Sequence, residues 1–380
     1  MTDKLYYKDA YIKEFDAYVL LVKEVGNGYA VILDKTAFFP EEGGQYSDRG
    51  FIGDARVEDV KEAKGLIYHY TDKPLEEGAK VHCKIDFDER YEKMQCHSGE
   101  HILSGLIHEL YGLDNVGFHL GAVDVTMDVS APLTREQLDK VEELANEIIY
   151  KNIEITTEFP TADELPLMEY RAKLDLTENV RIVRIGEYDA CACCAPHVKH
   201  TGEIGVIKIL DFAKLRGGIR IRITAGRRAL REFRSLYNSA GEVSALLSVP
   251  KTDISDGTKK LLTALAEEKA KFSEYRLKCI SEEAHAMDSI EGNLVKLISE
   301  ASVEELIAFA NVAREKVSGK LVLLCGEDGA YKYVISSAKE DLRAEVKEIN
   351  KSLLGRGGGK PNMIQGSFSS SLAEIEKYFS

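Results

Sequence analysis

The spacing of apolar and polar residues changes rhythm along the chain. Up to about Phe87 the apolar residues fall in short β-branched and aromatic runs, and Ala17 to Val22, Tyr29 to Leu33 and Val81 to Ile85 predict strands. Glu24-Val25-Gly26-Asn27-Gly28 turns the chain between the first two. Thr36 to Gln45 reads as a loop whose paired glycines permit unusual backbone angles or the close approach of a ligand. The simplest sum is a small, β-barrel-like domain over 1–88.

From Glu89 to Tyr111 the period becomes helical. Met94, His97, His101, Ile102 and Leu106 recur on one face, and Gly112 offers a stop. Val123 to Val129 predicts a strand. Thr134-Arg135-Glu136-Gln137 is a capping box that opens a helix burying Leu138, Val141, Leu144, Ile148 and Ile149. Ile153 to Thr157, Val180 to Ile185 and Gly205 to Leu210 read as further strands, giving a mixed α/β domain over 89–225. Arg227 to Leu247 and Lys259 to Ala286 are helical, separated by Pro250, and form a helical linker over 226–300. Residues 301–380 alternate as helix, strand (Lys320 to Leu324), strand (Tyr331 to Ile335) and helix (Lys339 to Leu354), a small α/β domain with a glycine-rich loop. The fold class is α+β.

Two segments carry chemistry. His97-Ser98-Gly99-Glu100-His101 puts two imidazoles at i and i+4, stacked on one helix face. Cys193-Cys194-Ala195-Pro196-His197 repeats that spacing with a thiol and a third imidazole, a donor set that suits tetrahedral zinc. Three thiols, Cys191, Cys193 and Cys194, fall within four residues. If the segment turns helically, Cys193 reaches the point that His197 reaches, while Cys194 points about 100° away. Pro196 keeps such a turn short. The first segment alone also fits H-x-x-E-H, the inverted zinc-peptidase motif with Glu100 as base, but that reading leaves Cys193 and His197 unused. A non-catalytic RNA-binding protein with a closed structural zinc is the other alternative.

Composition narrows the setting. The 380 residues are 44% hydrophobic and 30% charged, with seven cysteines, an odd number that argues against a disulfide framework. The segment Met1 to Asp16 lacks an apolar signal core, and no run approaches the roughly eighteen apolar residues of a membrane span. The expected compartment is the cytoplasm. Net charge is −14, yet Lys199 to Arg234 holds ten Lys or Arg against three acids, a local +7 beside the cysteine–histidine cluster. A basic block there suggests a phosphate-bearing substrate. Gly355-Arg356-Gly357-Gly358-Gly359-Lys360-Pro361 is not a P-loop, because Leu354 and Pro361 stand where Gly and Ser or Thr are required. It reads as a tight turn, or as a turn able to grip a sugar-phosphate backbone through Arg356 and Lys360.

Together the Thr36–Pro40 and Gly44-Gln45 residues, Arg90 with Met94, His97-x3-His101-Ile102-Leu103, and Cys193-x3-His197-Val198 with Thr201-Gly202-Glu203-Ile204-Gly205 resemble the editing domain of alanyl-tRNA synthetases. They resemble equally its free-standing relatives, which hydrolyse mischarged alanine tRNA. Gly355 to Gly366 is similar to the C-terminal domain of the same synthetases. The chain has no room for an adenylate-forming domain and no Asp-His-His motif, so the resemblance points to a long-form, free-standing trans-editing protein. It implies zinc on His97, His101, Cys193 and His197, and an aminoacyl pocket lined by Thr36 and Gln45. It further implies hydrolysis of serine, and also glycine, from alanine tRNA. Where the family commonly has Gly-Gly-Thr between cysteine and histidine, this chain has Cys194-Ala195-Pro196, with the ligand spacing kept. Arg220, Arg222, Arg227, Arg228, Arg356 and Lys360 are the candidates for tRNA contact, and the long helix is a candidate for pairing two chains as a homodimer.

Overall fold

A computed structural model of the chain describes residues 1–172 and 180–380. They form two compact units, Met1–Ala240 and Gly241–Ser380. In the first, six antiparallel strands close a barrel in the order Glu14–Val25, Gly28–Leu33, Leu66–Thr71, Ala55–Ala63, Gly50–Ile52 and Lys80–Ile85. Val19, Val31, Leu33, Phe38, Ile52 and Val60 fill its interior. Three of these strands escaped the sequence pattern. In Ala55–Ala63 a register shift between Val57 and Asp59 inserts one residue, so Val57 and Val60 both face inward and period-2 alternation is lost.

The rest of this unit is built around the helix Phe87–Tyr111. A four-stranded antiparallel sheet runs Ile207–Leu215, Gly218–Ala225, Val125–Val129, Asn115–Leu120, and the helices Phe87–Tyr111 and Arg135–Tyr150 pack with it around one core. Both boundary signals work as read: Thr134 and Gln137 close a reciprocal capping box, and Gly112 ends its helix at φ +64°. A separate sheet of Ile155–Glu158, Ile182–Ile185 and Asp189–Ala192 lies against the helix Phe87–Tyr111. The approach is close at Gly105, where a Cβ would run into the Tyr188 carbonyl.

A buried charge cluster ties the barrel to that helix. Arg90 Nε donates to Asp48 Oδ2 at 2.8 Å, and Lys93 Nζ lies 3.0 Å from Asp48 Oδ1. Arg90 and Lys93 also donate to the carbonyls of Ala37 and Ser47. Burial alone would raise the Asp48 pKa, but the two cations outweigh it and hold it at about 2.

In the second unit, five strands stand in the order Leu294–Leu297, Leu321–Cys325, Tyr331–Ser336, Met363–Phe368, Arg356–Lys360. The strand Leu321–Cys325 is buried on both faces. Leu321 and Leu323 face the helix Val303–Ala313 and the end of the helix Ile254–Ala286; Val322 and Leu324 face Ile349, Ile375 and Phe379. That double burial explains its unbroken apolar run. Two expectations change here. The glycine-rich segment is not a turn: Arg356–Lys360 is an edge strand paired with Met363–Phe368, where a Cβ at Gly357 would collide with Tyr333. The expected helix Lys339 to Leu354 shortens to Val346–Ser352.

Candidate metal centre

The nitrogen and sulfur donors of His97, His101, Cys193 and His197 all lie within 4.8 Å of one another. Cys193 Sγ stands 3.6 Å from His97 Nε2 and 3.4 Å from His197 Nε2. These separations match the edge of about 3.5 Å in a tetrahedron with zinc bonds of about 2.0–2.3 Å. The first two donors come from the helix Phe87–Tyr111. The second two do not sit on a helical turn: past Asp189–Ala192 the backbone is irregular through Pro196 and His197. Pro196 has no N–H to offer a helix, and Arg181 Nη1 satisfies the carbonyls of Cys193 and Ala195 instead.

Each imidazole is held from behind. His97 Nδ1 donates to Gln45 Oε1 at 3.0 Å, His101 Nδ1 donates to Asp189 Oδ2 at 2.8 Å, and His197 Nδ1 lies 3.0 Å from Ser98 Oγ. With Nδ1 occupied, Nε2 of each ring is turned toward the shared point, the usual arrangement of metal-bound histidine. Burial opposes ionisation of Cys193, but His97 and the hydrogen bonds from His101 and His197 outweigh it and hold the thiol well below its ordinary value. Burial pushes His197 down to about 3, keeping it neutral. For His101, burial is overcome by the Asp189 hydrogen bond, and its pKa rises well above the ordinary histidine value, so a metal on its Nε2 would displace a proton. A thiolate and neutral imidazoles are what a zinc ion requires.

The cluster opens onto a cavity of about 670 Å³. His97, His101 and Cys193 form part of its wall, with Glu100, Asn115, Phe118, Tyr7, Glu42, Arg171 and Arg181 around them. Glu100 accepts hydrogen bonds from Ser104 and Asn115. Gly43 and Gly44 complete one side as the centre of a two-residue turn. Both have positive φ (+62° and +78°), and Glu42 and Gln45 exchange backbone hydrogen bonds of 3.1 and 3.0 Å. A Cβ on Gly44 would enter the Phe118 carbonyl, so the paired glycines serve a tight turn laid against a strand.

Thr36 and Gln45, expected in the pocket wall, stand behind it. Thr36 is fully buried; its hydroxyl donates to His69 Nε2 at 2.8 Å and accepts from the Phe38 N–H. Gln45 orients His97. The candidate tRNA arginines of the first unit are matched by acids. Arg220 pairs with Asp128, Arg222 with Asp211, and Arg227 with Asp88. Arg228 is buried, donating to the Gly121 carbonyl and the Tyr46 hydroxyl, with Glu92 3.7 Å away. Arg356 and Lys360 are exposed on their edge strand in the second unit.

Asp189, Ser98 and Arg181 were not singled out from sequence. For Asp189 a signal existed: Asp189 and Cys191 alternate in a strand leading into Cys193, and a strand points every second side chain the same way.

Residues 180–224 match the model of the threonyl and alanyl tRNA synthetase second additional domain, and residues 3–89 match the model of class II (A) tRNA synthetases. The alanyl-tRNA editing protein AlaX-L of Pyrococcus horikoshii is 29% identical over 99% of this chain and 96% of its own. The mouse alanyl-tRNA editing protein Aarsd1 is 28% identical over 94% of this chain and 92% of its own. An alanine–tRNA ligase of Ignicoccus hospitalis is 33% identical over 95% of this chain; the chain spans 40% of that enzyme's length. Among solved structures, the C-Ala domain of Aquifex aeolicus alanyl-tRNA synthetase is 20% identical over 24% of this chain, with a TM-score of 0.21. Over nearly its whole length, therefore, the chain is similar to the free-standing alanyl-tRNA editing proteins, and it shares that similarity with part of the alanine–tRNA ligases.

Proposed function

We propose that this chain is an aminoacyl-tRNA deacylase, a trans-editing hydrolase that removes serine, and also glycine, from mischarged alanine tRNA with the help of zinc. The observation that carries the reading is the convergence of His97, His101, Cys193 and His197, three of which (His97, His101 and Cys193) wall a cavity large enough for an aminoacylated adenosine. When bound, zinc supplies electrophilic assistance, polarising the ester or lowering the pKa of a water. The chain's own residues do the rest. Gln45, Asp189 and Ser98 fix the donor rings. Phe118 and Tyr7 offer aromatic faces to the terminal base. Glu100, anchored by Ser104 and Asn115, is the carboxylate placed to take the proton of the attacking water. Discrimination by hydroxyl needs a polar partner in the wall rather than a merely hydrophobic slot. Thr36 contributes at one remove, through the hydrogen bond it accepts from the Phe38 N–H.

The exposed Arg220 and Arg222, and Arg356 and Lys360 in the second unit, are the proposed contacts to tRNA phosphates. Leu261, Leu262, Leu265 and Phe272 leave an exposed apolar stripe on the helix Ile254–Ala286, which supports its use in pairing two chains. Among the described residues no helix is long and apolar enough to cross a membrane, and the working compartment of such an editing enzyme is the cytoplasm. The test is release of labelled serine from serine-charged alanine tRNA, set against alanine from the correctly charged tRNA. The reading expects the serine ester to be hydrolysed far faster; equal rates, or none, would count against it.

A further inference from the structure

The cavity holds a cation that no carboxylate among the described residues neutralises. Arg181 directly precedes the strand Ile182–Ile185 and is only 7% exposed. Its Nη1 donates to the carbonyls of Cys193 and Ala195 at 2.9 and 2.8 Å, and its guanidinium lies 5.6 Å from the centre of the Tyr7 ring. Its Nε–H is enclosed without any acceptor among the described residues. The other buried cations of this unit are matched: Arg90 and Lys93 by Asp48, Arg171 by Asp189, Arg228 by Glu92. The carboxylates that wall the same cavity are engaged elsewhere, Glu100 with Ser104 and Asn115, and Glu42 with the Cys194 side chain. The anion beside Arg181 is Cys193, whose carbonyl it holds and whose sulfur belongs to the donor cluster.

A guanidinium stays charged at any pH a protein meets. Burying one with no carboxylate against it among the described residues, and with a donor left unmade, is costly. The arrangement makes sense where a ligand brings the missing charge, and the planar fork of arginine suits the oxygens of a phosphate. Position narrows which phosphate. The carbonyl that anchors Arg181 and the sulfur that joins the donor cluster belong to one residue, Cys193, so the guanidinium stands within one residue of the donor cluster. Resting on the editing reading, we propose that Arg181 receives the phosphate on the 5′ side of the substrate's terminal adenosine, reading the tRNA end by its backbone.

The experiment uses the zinc-loaded full chain and two hydrolysis-resistant probes, 3′-serylamino-3′-deoxyadenosine with and without a 5′-phosphate, with binding measured by calorimetry. The 5′-phosphate is expected to strengthen binding by roughly 10- to 100-fold, the range of one charge-assisted hydrogen-bonded contact. Arg181→Gln is expected to erase that increment, so that the two probes bind the variant alike; Arg181→Lys should retain part of it. No increment in the wild type, or one that survives in Arg181→Gln, overturns the proposal. The wild-type comparison and Arg181→Lys decide the matter should Arg181→Gln fail to fold. Binding of free serine that vanishes in Arg181→Gln would give the guanidinium to the product carboxylate, again overturning it. Hydrolysis of serine-charged tRNA without a phosphate increment sinks only this proposal, whereas absent hydrolysis sinks the editing reading itself.

Discussion

Asp189 holds His101 and Arg171 at once: one carboxylate oxygen accepts from His101 Nδ1 at 2.8 Å and the other from Arg171 Nε, also at 2.8 Å. The carboxylate fixes the ring so that Nε2 faces Cys193, while Arg171 fixes the carboxylate. Such outer partners commonly contribute a factor of 10–100 in metal affinity. Asp189→Asn is expected to weaken zinc binding by roughly that factor, read by competition with a chromophoric chelator. Unchanged affinity would mean that His101 is oriented by packing alone.

The Asp48 cluster gives a stability prediction. Removing its charge by Asp48→Asn leaves Arg90 and Lys93 buried without a counterion, at an expected cost of about 3–5 kcal/mol in urea unfolding. Because the Asp48 pKa is depressed to about 2, the stabilisation is complete above the unfolded value near 4 and is lost as pH falls from about 4 toward 2. A variant as stable as the wild type at pH 7 would contradict the assignment.

His69 titrates with the opposite consequence at higher pH. Burial pushes it down to about 4, and its Nδ1 is 3.1 Å from the Val31 carbonyl while Nε2 takes the Thr36 hydroxyl. The unfolded chain gains a proton below about pH 6.5 that the fold refuses until about 4. His69 therefore costs up to about 3 kcal/mol of stability across that window. Compared with His69→Asn, the wild type should lose its advantage steadily as pH drops from 7 to 4. A difference that stays constant would show that His69 does not titrate this way.

The basic block separates into surface and scaffold. Arg220 and Arg222 are exposed, so replacing both by Ala should weaken tRNA binding and lower the salt slope by roughly 1 for each phosphate left without its cation. Arg228 is buried against Gly121 and Tyr46, so Arg228→Ala should lower thermal stability with the slope intact. A slope insensitive to Arg220 and Arg222 would remove this strand from the interface.

Much of the site was legible because its signals are local. The i, i+4 histidines, the Thr134 capping box and the Gly112 stop each depend on neighbours within a turn of helix. Less legible was whatever depends on residues far along the chain. The +7 block counts only its own acids, whereas its arginines pair with Asp88, Glu92 and Asp128. The glycine run at 355–359 looked like a turn because glycine is usual there, but Gly357 is needed because a Cβ would meet the Gln365 carbonyl and the Tyr333 hydroxyl. Ala55–Ala63 hid its strand behind a bulge. Arg181 carries no local mark at all; its meaning comes from what does not face it.

The central claim is that the four-donor cluster is what cleaves the serine ester. The most direct measurement is serine release from serine-charged alanine tRNA by the wild type and by a His97→Ala, Cys193→Ala double variant, with zinc content and folding monitored in both. Rapid release by the wild type alone, with zinc lost from a folded variant, is the expected result. Equal release by both proteins, or none by a folded, zinc-bound wild type, would contradict the account.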